Sequence, residues 1–307
     1  MKAIVTGGAG FVGTNLVKRL LKDGYEVVSL DNYSTGKKEN EQEGCRYFDV
    51  DLSKVSNYDE FVGSVDVIFH IGALARIQPS LTDPSPHIQN NFISTLNILE
   101  YARVKNIPVV YAGSSSYHHG LYSSPYAWSK WSGEELCKLY SSVYDINTSI
   151  CRFYNVYGPY QLEEGDYSTV LGIFEKQYRE NIPLTITADG KQRRDFTHVE
   201  DIVDGLVRCS QHNFKAQFFE LGSGVNYSIN EVADMFGKDY PREYIPARKG
   251  EYDRTLCDYS VAELKLGWLQ KLPLEVAIDK VIEWHEAWKD NQPMDEISSS
   301  QINFYEK

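Results

Sequence analysis

The stretch "TGGAGFVG" at residues 6–13 decides how the chain folds, because three of its four glycines allow a tight connection from a strand to a helix. A short apolar run, "KAIVT", precedes the stretch, and the helical pattern "TNLVKRLLKDGY" follows it. Gly7 permits the tight turn, Gly10 lets a pyrophosphate approach the backbone, and Gly13 lets helix and strand pack closely. Free N–H groups at the start of the helix then face the anion. A glycine-rich turn without a ligand is the alternative, but the strand–turn–helix context favours dinucleotide binding.

An acidic residue ends the next predicted strand, "EVVSLDN". Asp31 lies eighteen residues past Gly13. Its carboxylate would accept hydrogen bonds from a ribose diol and repel a 2′-phosphate, which favours NAD over NADP. Lys37 and Lys38 act against this preference, because a cation could receive a 2′-phosphate. We expect NAD as the cofactor.

The first half of the chain alternates between apolar strands and helical patterns. "DVIFHIGAL" and "PVVYAGSS" are further buried strands, with the amphipathic helix "FISTLNILEYARVK" between them, and "NTSICRFYNVYG" is a later strand. Continuous apolar strands separated by helices imply a parallel sheet that is covered on both faces. The sequence therefore predicts an α/β fold with a doubly wound, Rossmann-type sheet.

The second half is less regular and predicts a smaller, discontinuous C-terminal substrate lobe. "SINEVADMFG" indicates a helix that has Ser228 as its N-cap and a capping box completed by Glu231. "VAELKLGW" and "LEVAIDKVIEWHEAWK" are also helical patterns. We expect a dinucleotide-binding domain at 1–157 with later returns near 195–224, a mainly substrate-binding lobe at 158–290, and a polar tail at 291–307.

Composition limits the classes of function. Apolar residues make up 42% of the 307 residues, enough for a sizeable core, and the net charge of -12 makes nucleic acid a poor partner. The five cysteines are scattered without a CxxC pair, which favours free thiols in a reducing compartment and no metal site. No apolar run approaches the roughly 18 residues of a membrane span. The N-terminal apolar stretch is too short for a signal peptide, so we expect no membrane and a cytoplasmic location.

The stretch "GSSSYHHGLYSSPYAWSK" at residues 113–130 carries the chemistry. Tyr126 and Lys130 are four residues apart, so they share one face of a helix. A nearby ammonium favours the phenolate of a tyrosine, whose unperturbed pKa is about 10. Such a tyrosine can take a proton from an alcohol while hydride leaves the same carbon. Ser114 follows a predicted strand directly, which places its hydroxyl at the ligand-binding edge of the sheet.

Together these motifs resemble the extended short-chain dehydrogenase/reductase family, and most of all its sugar-nucleotide epimerases and dehydratases. The resemblance rests on "TGGAGFVG", Asp31, "NNFISTLN", the serine strand, "YAWSK" and "RFYNVYGP", and it runs in order from residue 1 to about 290. The later motifs "RRDFTHVEDIVDG" and "RKGEYDRTLCD" resemble that subgroup specifically.

The resemblance implies roles for individual residues. Ser114, Tyr126 and Lys130 would be the catalytic residues, with Tyr126 as the acid/base. The substrate would be held by Ser114, Ser115, Asn155, Arg194, Arg248 and Thr255, with both arginines on its diphosphate. The cofactor would be held by Gly7, Gly10, Phe11, Val12, Gly13, Asp31, Asn32, Asp51, Leu52, Ile71, Gly72, Ala73, Asn91, Tyr126, Lys130 and Phe153, with Asp51 and Leu52 at the adenine.

The serine strand also bears on which reaction is expected. Dehydratases of the family carry acids after the first serine or threonine, whereas this chain has Ser114, Ser115 and Ser116. The serine run resembles the 4-epimerases, which oxidise C4 of a UDP-sugar and return hydride to its other face. Thr255 would limit sugar size, and a small residue there hints that a UDP-N-acetylhexosamine fits as well as a UDP-hexose. The alternatives are a 4-reductase or 4,6-dehydratase on the same scaffold, and a non-catalytic NAD-binding scaffold or regulator.

The chain departs from the family in the loop between the catalytic serine and tyrosine. The family has some two dozen residues there, whereas eleven residues separate Ser114 from Tyr126. His118 and His119 lie in this shortened loop; exposed loop histidines, substrate contacts and a metal pair are the three interpretations, in that order. The resemblance also implies a homodimer, paired through helices at about 88–104 and 126–144.

Overall fold

A computed structural model describes residues 1–248 and 250–289. The predicted polar tail at 291–307 lies outside the described residues. The strands are β1 (Lys2–Thr6), β2 (Glu26–Asp31), β3 (Cys45–Asp49), β4 (Val67–His70), β5 (Val109–Ser114), β6 (Thr148–Phe153), β7 (Val156–Tyr157), β8 (Leu184–Thr187), β9 (Arg193–Asp195), β10 (Thr197–His198), β11 (Gln217–Leu221), β12 (Asn226–Ser228) and β13 (Arg242–Ile245). The helices are α1 (Phe11–Lys22), α2 (Asp59–Val62), α3 (Ile77–Thr82), α4 (Pro84–Ile88), α5 (Ser94–Lys105), α6 (Pro125–Tyr144), α7 (Val170–Arg179), α8 (Val199–Ser210), α9 (Ile229–Met235), α10 (Ser260–Leu266) and α11 (Leu274–Lys289).

Seven parallel strands form the central sheet in the order β11-β6-β5-β4-β1-β2-β3. The chain enters the sheet at β1, builds β2 and β3 on one side, and then crosses to β4 on the other. This reversal opens a crevice at the carboxyl ends of β1 and β4, where ligands bind in such sheets. The doubly wound Rossmann-type fold is therefore confirmed.

Two apolar cores cover the two faces of this sheet. One is built on α1, α8 and the buried Trp268, and the other on α5 and α6. Strand β11 lies far along the chain yet pairs with β6 at the edge of the sheet. The described segments near 195–224 thus return to the first domain, while its boundaries stay a prediction.

A third core belongs to the second lobe and packs α7, α9 and α11 against short strands. The strands of this lobe pair two by two: β8 with β13, β9 with β12, and β7 with β10. Ser228 caps α9 as predicted, because Glu231 N donates to Ser228 Oγ at 3.1 Å and Ser228 N donates to Glu231 Oε2 at 2.7 Å. The lobe leans over the carboxyl edge of the sheet and forms the far wall of the cavity there.

The helix predicted at residues 92–105 begins differently in the structure. A wide π-type turn, Gln89–Ile93, precedes α5. The hydroxyls of Ser94 and Thr95 both donate to backbone carbonyls four residues back. Such hydroxyl-to-carbonyl bonds compete with the helical ladder and bend it, so the regular helix starts two residues late.

Helices α5 and α6 pack side by side and leave apolar side chains facing outward, among them Val104, Leu139 and Val143. The homodimer through these helices stays a prediction. Among residues 1–248 and 250–289, no helix combines the length and the apolar character needed to cross a membrane.

Candidate active site

One large cavity, with a volume of about 840 Å³, lies between the carboxyl edge of the sheet and the second lobe. All of the predicted site residues except Asp51, Asn91 and Lys130 line it. These are Gly7, Gly10, Phe11, Val12, Gly13, Asp31, Asn32, Leu52, Ile71, Gly72, Ala73, Ser114, Ser115, Tyr126, Phe153, Asn155, Arg194, Arg248 and Thr255.

The glycine loop between β1 and α1 is packed so closely that side chains would not fit at two positions. Gly7 has φ of +69°, and a Cβ atom on it would lie 2.7 Å from Gly72 Cα at the end of β4. A Cβ atom on Gly13 would lie 1.9 Å from Gly7 O. The loop thereby brings the first-turn N–H groups of α1 to the crevice, and an α-helix leaves those groups without internal acceptors. The loop fits the pyrophosphate of a dinucleotide.

Gly10→Ala tests this placement of the pyrophosphate. A Cβ atom at Gly10 would lie 3.3 Å from Gly7 O, a tight contact that a shift of the loop by a few tenths of an ångström relieves, and the methyl group would intrude on the cavity. We expect NAD affinity to fall about tenfold or more, equal to about 1.4 kcal/mol, at a nearly unchanged melting temperature. Gly13→Ala is the matched variant, and the clash of its Cβ atom with the backbone should lower both the NAD affinity and the melting temperature. Equilibrium titration with NAD and thermal unfolding check the pair; unchanged NAD affinity in Gly10→Ala would place the pyrophosphate elsewhere.

The end of β2 suits the ribose diol of NAD. Asp31 is buried and accepts hydrogen bonds from Ala9 N at 2.9 Å and Tyr33 N at 2.8 Å, and burial raises the pKa of its carboxyl group. The two lysines that the sequence offered as possible partners of a 2′-phosphate contact other side chains. Lys37 pairs with Glu39 at 3.4 Å, and Lys38 lies over the Tyr33 ring. The described lining of the cavity therefore presents a carboxylate and no lysine at this point.

The predicted serine and tyrosine meet in the cavity. Ser114 ends β5, and Tyr126 stands in the first turn of α6, which Ser124 caps and Pro125 begins. Tyr126 OH donates to Ser114 Oγ at 3.3 Å, and Ser116 Oγ donates to the same atom at 2.8 Å. A hydroxyl bound between the phenol and the serine would thus find a proton acceptor and a hydrogen-bond partner together.

Charges around the phenol differ from the sequence-based expectation. Burial raises the pKa of Tyr126, while its hydrogen bond to Ser114 and the positive charge of Arg76 act against that rise. Lys130 is buried one helical turn away, with Nζ 4.4 Å from the centroid of the Tyr111 ring, and burial lowers its pKa to about 8. Arg76 is therefore a cation at the site that the sequence analysis missed; the role of Lys130 toward the nicotinamide ribose stays a prediction.

Two of the residues outside the cavity lining still border it. Asn91 is buried, accepts a hydrogen bond from Leu74 N at 2.8 Å and donates to Leu74 O at 3.1 Å, which fixes the loop after β4. Asp51 pairs with Lys54 at 2.8 Å and accepts from Ser53, next to the lining residue Leu52. Asn91 acts as a support for the loop in this structure, and Asp51 lies one residue behind the cavity wall.

An ion-pair network beneath Ser114 was not predicted. Arg152 on β6 contacts Glu134 on α6 at 2.6 Å and Glu220 on β11 at 3.0 Å, and Glu134 Oε1 accepts from Ser114 N at 3.4 Å. The Arg152 guanidinium also stacks on the Tyr117 ring at 3.5 Å. One signal was available in the sequence: Glu134 continues the helical stripe of Tyr126 and Lys130 at the same spacing of four. Its partners come from other strands and give no local signal.

The histidines of the shortened loop contact protein groups. His118 Nε2 lies 2.9 Å from Glu220 Oε1, and the His119 ring stacks on Tyr252 at 4.6 Å between centroids. Burial lowers the pKa of His119. Within the described residues, no group of three or more His, Cys, Asp or Glu side chains is arranged to hold a metal ion. The loop is thus a short 3₁₀ turn, Ser115–His119, docked onto the segment around Tyr252.

The predicted substrate residues lie on the second-lobe side of the cavity. Arg194 Nη1 donates to Tyr252 O at 2.6 Å, and its Nη2 lies 3.7 Å from Glu251 Oε2. Arg248 is exposed at the cavity rim. Asn155 Nδ2 donates to Thr255 Oγ1 at 3.2 Å, so these two side chains support each other. A phosphate group between the two arginines would meet the fork geometry that suits it.

Known proteins share much of this sequence and fold. The family described as the NAD dependent epimerase/dehydratase family matches residues 3–222. The UDP-glucose 4-epimerase of Mycolicibacterium smegmatis is 33% identical over 310 residues, covering 92% of this chain and 98% of that protein.

Two solved structures show the same architecture. The Thermotoga maritima UDP-glucose 4-epimerase with UDP-glucose has a TM-score of 0.87 at 26% identity and covers 94% of this chain and 99% of that one. The Bacillus cereus UDP-glucuronic acid 4-epimerase in complex with UDP-glucuronic acid and NAD has a TM-score of 0.84 at 27% identity, with the same coverage. Since the family match spans most of the sequence and a relative is 33% identical over 92% of it, the chain belongs to the NAD-dependent epimerase/dehydratase family.

Proposed function

We propose that this chain is a 4-epimerase of a UDP-sugar that keeps NAD bound. The observation that carries the proposal is the hydrogen bond between Tyr126 OH and Ser114 Oγ, 3.3 Å long, inside a cavity that also contains the glycine loop and Arg194. This arrangement holds a proton acceptor and a dinucleotide site next to a place for a phosphorylated ligand.

The residues of this chain perform the proton part of the reaction. Tyr126 takes the proton of the C4 hydroxyl and later returns it, and the hydroxyl of Ser114 holds the same oxygen by hydrogen bonding. Bound NAD supplies the hydride acceptor and donor at C4. Arg194 and Arg248 hold the diphosphate while the oxidised sugar rotates and presents its opposite face to the cofactor. The sugar can rotate because the two arginines bind the other end of the substrate.

Elimination of water finds less support than epimerisation. Among the described residues that line the cavity, the carboxylates are Asp31, Asp166 and Glu251. None of them lies on β5 or in the turn after it, where the family's dehydratases carry their acid. Asp31 accepts from backbone at the end of β2, and Glu251 lies next to Arg194. A 4,6-dehydratase would need an acid that reaches C5 and the leaving hydroxyl together.

Incubation with UDP-glucose, UDP-galactose, UDP-N-acetylglucosamine and UDP-glucuronate, without added reductant, tests the proposal. We expect at least one substrate to give an isomer of unchanged mass, separated by chromatography. Loss of water would identify a dehydratase, and product formed only with added reduced cofactor would identify a reductase. Absence of any product, with NAD still bound, would favour the non-catalytic scaffold.

A further inference from the structure

Arg76 lines the same cavity as Ser114 and Tyr126 and has no part in the roles assigned so far. It precedes α3 directly, six residues after β4 ends, and its half-buried side chain lines the cavity. Ser80 on α3 accepts a hydrogen bond from Tyr126 N at 3.2 Å, so Arg76 and Tyr126 belong to one packed unit. Burial raises the pKa of Tyr126, and the positive charge of Arg76 acts against that rise.

In the part of the chain that the structure describes, the hydrogen bonds of this guanidinium go to backbone carbonyls. Arg76 Nε donates to Tyr167 O at 3.0 Å, and Nη1 donates to Ala75 O at 3.1 Å. Within residues 1–248 and 250–289, no carboxylate lies within 4.0 Å of its nitrogen atoms. In contrast, the buried Arg152 has two glutamates, and Arg194 in the same cavity has Glu251.

A guanidinium without a counter-charge is costly where water is scarce, and burial lowers the pKa of Arg76. The chain has 43 acidic residues against 31 basic ones, so a missing counter-charge does not follow from a shortage of carboxylates. A ligand that brings an anion to this point would remove the cost. Carboxylate is a good match, because it accepts two parallel hydrogen bonds from an arginine fork.

A UDP-sugar has two places for negative charge. Arg194 and Arg248 already serve the diphosphate in the proposed function. Arg76 lines the same cavity as the phenol that receives the C4 proton, and Ser80 on the helix that follows Arg76 accepts from Tyr126 N at 3.2 Å. An anion that reaches Arg76 is therefore carried by the sugar itself, close to C4. A carboxylate at C6 meets this condition, because C6 is attached to C5 and C5 is attached to C4.

We propose, resting on the proposed 4-epimerase function, that Arg76 selects a UDP-hexuronic acid by pairing with its C6 carboxylate. A neutral hexose has a hydroxymethyl group there and leaves the guanidinium without a counter-charge. Because hydrogen bonds between charged groups are among the strongest in proteins, we expect kcat/KM for UDP-glucuronate to exceed that for UDP-glucose by about 10- to 100-fold.

The test compares these two substrates, which differ only at C6, in the NAD-loaded protein and its variants. Arg76→Gln should lower the preference for UDP-glucuronate over UDP-glucose by about tenfold or more. Arg76→Lys, which keeps the charge but loses the fork, should fall between Arg76→Gln and the parent protein. An equal loss of kcat/KM for both substrates would mean that the guanidinium acts on the diphosphate or on Tyr126. A loss of NAD retention would mean that it acts on the cofactor. Either result overturns the proposal, as does a parent protein that prefers UDP-glucose.

A binding measurement keeps this inference separate from the proposed reaction. In a Tyr126→Phe background, calorimetry should give a lower Kd for UDP-glucuronate than for UDP-glucose, and Arg76→Gln should remove the difference. If that difference is present while the parent protein turns over no UDP-sugar, the proposed function fails and the carboxylate site stands. Equal Kd values for the two ligands before the Arg76 substitution would overturn the carboxylate site.

Discussion

Tyr126→Phe is expected to lower kcat by about 10²- to 10⁴-fold, the usual contribution of a positioned acid–base group. The phenol is the group in contact with Ser114 Oγ, and phenylalanine keeps the ring while it loses the proton. Initial rates on the substrate identified in the panel, together with the amount of NAD retained after purification, measure the effect. NAD retention should stay unchanged, because the ring still fills its place at the start of α6.

Tyr122→Phe is the matched control for this loss. Tyr122 lies in the same loop, and its side chain is 84% exposed, so its hydroxyl has no role at the cavity. The control should keep the parent rate. If Tyr126→Phe also kept the parent rate, Tyr126 would not transfer the proton, and the proposed chemistry would be wrong even with NAD bound.

Arg152→Ala is expected to lower the free energy of unfolding by about 3–5 kcal/mol, because it leaves a buried carboxylate without its counter-charge. Glu134 is 1% exposed and has Arg152 as its ion-pair partner at 2.6 Å. Denaturant unfolding at pH 7 gives the change from the shift in midpoint at constant slope. Arg103→Ala is the control: its pair with Glu100 is partly exposed at 2.8 Å, and the expected loss is about 1 kcal/mol or less.

The loss in Arg152→Ala should depend on pH in a defined direction. Burial already raises the pKa of Glu134, and the hydrogen bond and charge of Arg152 act against that rise. Without Arg152, the folded state binds the Glu134 proton more tightly than the unfolded state does. Stability of the variant relative to the parent should therefore improve as pH falls below neutral and worsen as it rises. A deficit below about 1 kcal/mol at pH 7 would mean that the network carries little of the stability.

Much of the fold and part of the site could be predicted because their signals are local. The glycine loop, Asp31 at the end of the next strand, and the spacing of Tyr126 and Lys130 each lie within one strand, turn or helix. Their chemistry depends on backbone geometry over a few residues, and the structure brings Ser114, Tyr126 and the glycines into one cavity. The start of α5 was predicted two residues early, because two hydroxyl side chains bond to carbonyls behind them.

Sequence alone determined the doubly wound sheet, the dinucleotide loop and the serine–tyrosine pair, since strand periodicity and short spacings express them. Only the tertiary structure decided that Arg152 joins Glu134 and Glu220, which lie 18 and 68 residues away along the chain. It also decided that Arg76 faces the cavity with no carboxylate partner among residues 1–248 and 250–289. Whether a charge is neutralised depends on which distant segments pack against it, and no pattern within one element records that outcome.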